Sequence, residues 1–443
     1  MNPYLTQIEQ VSPTGVTGTV VESDGATIAV AGFPAPVGSI ACIGGHDAEV
    51  IGFRNELTLV TPLGGDRHVR RGDRVVLHKT THGIAVGDAL LGRVVDAYAK
   101  PIDGRRLGLM MNRRPLHMPP PKSTQRPRID RPLSTGVRAI DGMLTVGQGQ
   151  RLGIFAGSGV GKSVLLGMMA RGTSATIRVI ALVGERGREV NEFIERDLGP
   201  QAMENTVVVV ATSDEPAAAR VGAVQTATTI AEHFRDEGHE VLLLVDSLTR
   251  LAMAQREIGL AAGEPPTSRG YPPSVFSLLP RIVERAGRNE HGSITAFYSV
   301  LVEGDDLNEP VSDAVRGLLD GHVVLSRALA AQGHYPAIDV LESISRVMPD
   351  VTSSEHQEAV RTIRQQMSTY KEYADLIAIG AYQRGSSPAV DLAIDRKADI
   401  DQLLQQSVKE NSTVQSASAA VTQLAGNCHA APVATAAAHG SET

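Results

Sequence analysis

The run Ala156-Gly157-Ser158-Gly159-Val160-Gly161-Lys162-Ser163 concentrates residue types that bind phosphate. Alternating glycines let backbone N–H groups turn toward one point and cradle phosphate oxygens, and a helix that begins there adds its positive dipole. Lys162 is spaced to reach the two outer phosphates of a triphosphate, and the Ser163 hydroxyl to ligate Mg²⁺. Ala156 stands where the strict pattern has glycine and adds only a methyl at the loop entrance. The candidate triphosphate-binding residues are Gly157, Ser158, Gly159, Val160, Gly161, Lys162, Ser163 and Val164. A second carboxylate-bearing position follows the apolar run Val241–Val245: Asp246 is placed to hold Mg²⁺ through its water shell. The third is the loop Gly184-Glu185-Arg186-Gly187-Arg188-Glu189 after another apolar run. Hydrolysis requires a group that orients and polarises water, and a carboxylate serves. Glu185 and Glu189 both qualify by position, and a merely charged loop is the alternative.

These residues need strands that end together. Leu152–Phe155, Val179–Val183, Val207–Ala211, Val241–Val245, Ile294–Val300 and Val323–Leu325 are apolar on both faces, as parallel strands covered by helices must be. Segments with helical period, such as Ser163–Arg171 and Gln225–Arg235, lie between them. The spacing predicts an α/β domain over 98–350 with a mainly parallel sheet, whose strand ends open onto a ligand crevice. Before it, residues 14–97 alternate short β-rich runs with glycine turns (Gly18–Val21, Thr27–Ala31, Ala48–Ile51, Leu57–Val60, Arg74–Leu77), which predicts a small barrel in a first domain of residues 1–97. Within 98–132, Pro115, Pro119, Pro120, Pro121, Pro127 and Pro132 forbid regular helix or central strand. Arg113, Arg114, Lys122, Arg126, Arg128 and Arg131 sit among them, so an extended connector is expected, its basic residues facing solvent or an interface. Residues 351–425 turn helical, with Val360, Ile363, Met367 and Tyr370 on one stripe and a second helix over Ile394–Val408. The tail 426–443 has too little apolar bulk to fold and is expected to be disordered.

Composition narrows the classes. The chain has 443 residues, 42% apolar and 21% charged, with a net charge of −7, no tryptophan and 3% aromatics. Nothing global favours a polyanionic partner, and stacking platforms are scarce. Two cysteines, Cys42 and Cys428, make no disulfide framework, and the thirteen histidines show no zinc-ligand spacing. Met1 to Ser12 carries no basic-then-apolar leader, so the cytosol is the expected compartment.

At this point the motifs together resemble the type III secretion ATPases, relatives of the rotary ATP synthase catalytic subunit. The resemblance rests on Phe155–Ser163, the Gly184–Glu189 loop, Gly263-Glu264-Pro265-Pro266-Thr267-Ser268-Arg269-Gly270-Tyr271-Pro272-Pro273-Ser274-Val275-Phe276, Val302-Glu303-Gly304-Asp305-Asp306, and Pro336–Asp339 leading to Ser343-Ile344-Ser345-Arg346. The stretch Ile379-Gly380-Ala381-Tyr382-Gln383-Arg384-Gly385 looks like the flagellum-specific branch rather than the virulence branch. The resemblance spans about residues 15 to 425. It implies a RecA-like P-loop NTPase core, preceded by a β-barrel, followed by a helical C-terminal domain, and assembled as a homohexameric ring that hydrolyses ATP with Mg²⁺. It further implies that Glu185 activates the attacking water and that Arg346 is an arginine finger offered to the neighbour's nucleotide. By the same resemblance Tyr335 packs on adenine, Glu189 sits near the Mg²⁺ water shell, and Arg186 near the γ-phosphate. Implied partners are a stator-like regulator, a stalk, the export gate and chaperone–cargo complexes, with peripheral docking at the inner face of the cytoplasmic membrane and no nucleic acid. Few residues precede the first barrel strand, whereas the flagellar family usually carries a longer helical arm there. A Rho-like RNA translocase on the same core, and a scaffold that only binds nucleotide, are the competing expectations.

Overall fold

The computed structural model describes residues 15–23, 27–63, 69–108, 112–302, 304 and 306–429, without the side chains of 125 and 427–429. Six antiparallel strands close a barrel in the order Thr17–Ser23, Ile28–Ala31, Leu57–Pro62, His46–Arg54, Ile40–Ile43, Arg74–Lys79. Alternation turns Val20, Val30, Ala41, Val50, Val60 and Val75 inward around Phe33. Ile40–Ile43 escapes prediction because four residues between turns show no period.

The central sheet runs Ile338–Ser345, Gly321–Leu325, Arg151–Ala156, Ser293–Leu301, Glu240–Asp246, Ile177–Val183, Thr206–Ala211, Arg93–Val95, with Gly287–Arg288 paired to one end of Ser293–Leu301. Every pairing along that order is parallel except the antiparallel edge formed by Ile338–Ser345 and Gly321–Leu325. All six predicted strands are present. Three were not foreseen, among them the two-residue Gly287–Arg288. Arg93–Val95 adds to the sheet beside Thr206–Ala211, so the chain enters this layer before residue 97; three residues carry no readable pattern. Ile338–Ser345 mixes charged and apolar residues as an edge strand should. Helix Lys162–Gly172 and helix Ala217–Asp236 cover opposite faces, so apolar side chains fill both sides of the sheet.

The proline-rich segment holds a short strand, Asn112–Pro115, and a 3-10 turn, Ser123–Gln125. Asn112–Pro115 pairs antiparallel with Gly83–Val86 as a separate two-stranded sheet, and Arg114 and Arg126 are fixed to Asp236 and Glu284 of the nucleotide domain. Those two basic residues therefore face protein. Three helices, Ser354–Ala378, Pro388–Leu404 and Val414–His429, complete the described chain. Val360 and Ile363 bury their stripe in the core under the P-loop helix, with Met367 half-buried beside them. The last helix extends to His429, past the expected start of a disordered tail; residues 430–443 lie outside the described residues, as do 1–14, where the leader was sought.

Candidate active site

Strand Arg151–Ala156 is buried along nearly its whole length and delivers the loop to the C-terminal edge of the sheet. Gly159 and Gly161 adopt φ of 79° and 92°, a left-handed conformation that side-chain-bearing residues avoid, and helix Lys162–Gly172 starts immediately after. Val160 is buried beneath the loop and anchors it. An open cleft of about 760 Å³ lies over this turn, lined by Gly157, Ser158, Gly159, Gly161, Lys162, Ser163 and Val164 on one side and by Glu185, Arg186, Glu189, Ser213 and Arg250 on the other.

Asp246 is the last residue of its strand and buried. Its carboxylate pairs with Lys162 Nζ and accepts a 2.7 Å hydrogen bond from Ser299 Oγ. Glu185 Oε1 lies 3.9 Å from the same Lys162 Nζ. Burial, and next the neighbouring Asp246 carboxylate, push the Glu185 carboxyl up to about 7. The loop that carries Glu185 is pinned from three directions: Gly184 N donates to Ala211 O, Ser213 N donates to Glu185 O, and Arg250 Nη1 donates to Gly184 O at 2.9 Å. Glu189 occupies the first turn of the short helix Gly187–Glu192, 3.7 Å from Arg186 Nη1. Ser163, Glu185, Glu189 and Asp246 also border a small cavity of about 100 Å³ behind the cleft. An acid-rich pocket beside a hydroxyl at a helix N-terminus suits a hydrated Mg²⁺.

Residues 136–345 match the family model of the ATP synthase alpha/beta family nucleotide-binding domain, and residues 352–423 match that of the T3SS EscN ATPase C-terminal domain. The flagellum-specific ATP synthase of Bacillus subtilis is 53% identical over 380 residues, covering 86% of this chain and 87% of the relative. This chain belongs to the type III secretion ATPases. An injectisome relative, the SPI-2 type 3 secretion system ATPase of Salmonella typhimurium, is 52% identical over 84% of the chain and 87% of its own length. Among solved structures, the assembled ATPase EscN from the enteropathogenic E. coli type III secretion system superposes with a TM-score of 0.88 at 45% identity, over 92% of this chain and all of that one. This type III secretion ATPase is accordingly an ATP-hydrolysing enzyme with the barrel, nucleotide domain and helical domain expected of it.

Every P-loop residue named from the sequence borders the cleft except Val160, which supports it from below. Tyr335 is 46% exposed, and its ring stands 3.6 Å from where a Cβ on Gly161 would be, so an open aromatic face adjoins the loop. Arg346 is elsewhere. Its backbone N donates to Asp320 O, and Asp320 N donates to Arg151 O, which puts it level with the first residue of the P-loop strand. Six residues of strand separate that level from the loop, roughly 20 Å. Glu303 and Asp305 of the Val302–Asp306 motif lie outside the described residues. Sequence reasoning missed Arg250 and Ser299. Arg250 could have been found, since it stands in the first turn of the helix that follows Asp246. Ser299 could not, because its meeting with Asp246 depends on strand order.

Proposed function

We propose that this ATPase hydrolyses ATP at a site completed by the adjoining protomer of a homohexameric ring, and that it serves flagellar protein export. The observation that carries the shared site is the placement of Arg346 at the opposite end of the sheet from its own P-loop, exposed, with no carboxylate paired to it among the described residues. A guanidinium there serves only another subunit's nucleotide.

Within one protomer, loop amides and Lys162 grip the phosphates. Lys162 Nζ pairs with Asp246, and a γ-phosphate oxygen would compete with that carboxylate for the same ammonium. Ser163 would hold Mg²⁺ directly, with Asp246 and Glu189 through water, and the ion would neutralise charge on the outer phosphates. Glu185 accepts the proton of the attacking water as its oxygen bonds to the γ-phosphorus and the bond to the bridging oxygen breaks, releasing ADP and phosphate. Arg186 lies near the same phosphate, the neighbour's Arg346 neutralises the equatorial oxygens, and Tyr335 stacks on adenine.

The flagellar reading draws support from flagellum-specific relatives at 47–53% identity, and the injectisome reading from the SPI-2 relative at 52%. A relative is solved with its central stalk; here a stalk would meet the helical domain, whose Leu376 and Ile379 are exposed. Regulator, export gate, chaperone–cargo complexes and peripheral attachment inside the cytoplasmic membrane complete the proposed setting, with cargo released and unfolded at the gate. Restored motility in a strain lacking its flagellar ATPase, without restored effector secretion in an injectisome mutant, is the expected result. The shared site is tested by mixing Lys162→Ala with Arg346→Ala protein. Some interfaces then combine an intact P-loop with an intact Arg346, so activity partly returns; no return, with subunit exchange demonstrated, refutes it.

A further inference from the structure

The loop between helices Pro388–Leu404 and Val414–His429 contains a glutamine that ties three parts of the chain together. Gln406 is only 6% exposed. Its side-chain Nε2 donates to Gly136 O at 2.8 Å and to Glu410 O at 2.9 Å, and its Oε1 accepts from Arg138 N at 2.7 Å. Both amide hydrogens and the carbonyl are thus engaged, fixing the side chain to the start of the nucleotide domain. Its backbone N–H then donates to Tyr335 O at 3.0 Å. A buried amide with every group satisfied defines one geometry, because any shift leaves a polar atom unpaired.

The same loop is packed against the P-loop helix. Arg171, in that helix's last turn, donates to Val408 O at 2.8 Å, and Asn411 Oδ1 lies 2.5 Å from where a Cβ on Gly172 would stand. Tyr335, by contrast, is half exposed and cannot be oriented by packing alone. What holds its backbone is the bond to Gln406 and the buried His334 next to it, whose Nδ1 lies 3.4 Å from Gln405 Nε2.

We propose that Gln406 is a positioning residue for the nucleobase, setting the Tyr335 ring at the spacing from the P-loop at which a base stacks while its phosphates are gripped. This rests on the reading of Tyr335 as the base platform. The amide of Gln406 is engaged by protein groups on every side, so its effect passes through Tyr335 and must alter ligands that carry a base and spare those that do not.

The experiment compares Gln406→Met, similar in volume and keeping the backbone bond to Tyr335 O but unable to make the three side-chain bonds that fix the loop, Gln406→Glu, which keeps the acceptor for Arg138 N and loses both donations, Tyr335→Ala, and Gln406→Met with Tyr335→Ala. ADP and inorganic pyrophosphate are measured as competitive inhibitors of ATP hydrolysis, with thermal unfolding as the folding control. Gln406→Met is expected to raise KM for ATP and the ADP inhibition constant about tenfold, the size of a lost stacking contact, with kcat and the pyrophosphate constant unchanged. Gln406→Glu should fall between it and the native protein, and the double variant should be no weaker than Tyr335→Ala alone. If the methionine variant does not fold, the glutamate variant carries the same comparison. Equal weakening of ADP and pyrophosphate would mean general loosening and overturn the proposal. ADP unaffected at position 406 but weakened by Tyr335→Ala would overturn it while leaving the base platform standing. An unchanged ADP-to-pyrophosphate ratio in Tyr335→Ala would remove the platform itself.

Discussion

Where the P-loop leaves the sheet, Lys162 is shared between Asp246 and, at 3.9 Å, Glu185, and burial together with the Asp246 carboxylate disfavours the charge on Glu185. At the opposite end, Arg285 donates to both oxygens of Glu232 at 2.9 and 2.6 Å, to Thr229 Oγ1 and to Leu116 O. Arg126 and Arg151 are likewise fixed there by Glu284 and Asp320. Both ends bury charge, but the second holds it in fixed pairs, Arg285 with Glu232 above all. One cation holding two acids can change partners when polyphosphate arrives; a guanidinium with four bonds has nothing to exchange. Arg346 belongs spatially to the second end and yet is exposed, as the proposed role toward a neighbouring protomer requires.

The largest effect that breaks this comparison is Arg346→Ala. If the guanidinium acts across a subunit boundary, kcat falls by about 10³–10⁵ while nucleotide affinity and thermal midpoint hold. Steady-state hydrolysis at ring-forming concentration, beside equilibrium nucleotide binding, checks it; a loss confined to affinity would place Arg346 outside the chemistry.

Next is Glu185→Gln, expected to lower kcat by about 10²–10⁴ without weakening ATP binding. Its pH dependence sharpens the point. The carboxyl is held up to about 7 by burial and by Asp246, and only its deprotonated form accepts a proton. Native kcat/KM should therefore rise with pH through about 7 and level off above it, losing about tenfold per unit below. The glutamine variant should show no such limb. A native profile flat across neutrality would mean that Glu185 is not the proton acceptor.

At the second end, Glu232→Ala leaves the Arg285 guanidinium buried and short of its carboxylate, a loss of about 3–5 kcal/mol. Denaturant unfolding should register it, and kcat per folded molecule should not change. Lost turnover at native stability would show that the two ends are not separate in role.

This contrast explains what was legible beforehand. Val241–Asp246 and the Gly157–Ser163 loop announce themselves because buried parallel strands must be apolar throughout and phosphate-binding turns must be glycine-rich. The pairing of Ser299 with Asp246 was hidden because it depends on strand order, which no local pattern encodes. Arg93–Val95 was too short to show a period. Arg346 and Tyr335 stood out only through resemblance: an exposed arginine and an exposed tyrosine carry no local signature, and their meaning depends on a neighbour and a ligand. The Gln406 tie was equally silent, because glutamine in a loop is commonplace until its partners are known.

The smallest expected effect separates geometry from motif. Arg186 and Arg188 stand two residues apart in the same loop, and apart from the family resemblance nothing in their residue type or spacing ranks them. Both side chains are exposed, but Arg186 borders the cleft, whereas Arg188 does not line it and pairs with Glu192 one helical turn away. An exposed pair of this kind contributes about 0.3–0.5 kcal/mol and is screened by salt. Arg188→Ala should therefore shift the unfolding midpoint barely and leave kcat and KM alone, while Arg186→Ala should lower kcat. If the two variants lose activity equally, the loop acts as a unit and the position of each side chain relative to the cleft does not decide its role.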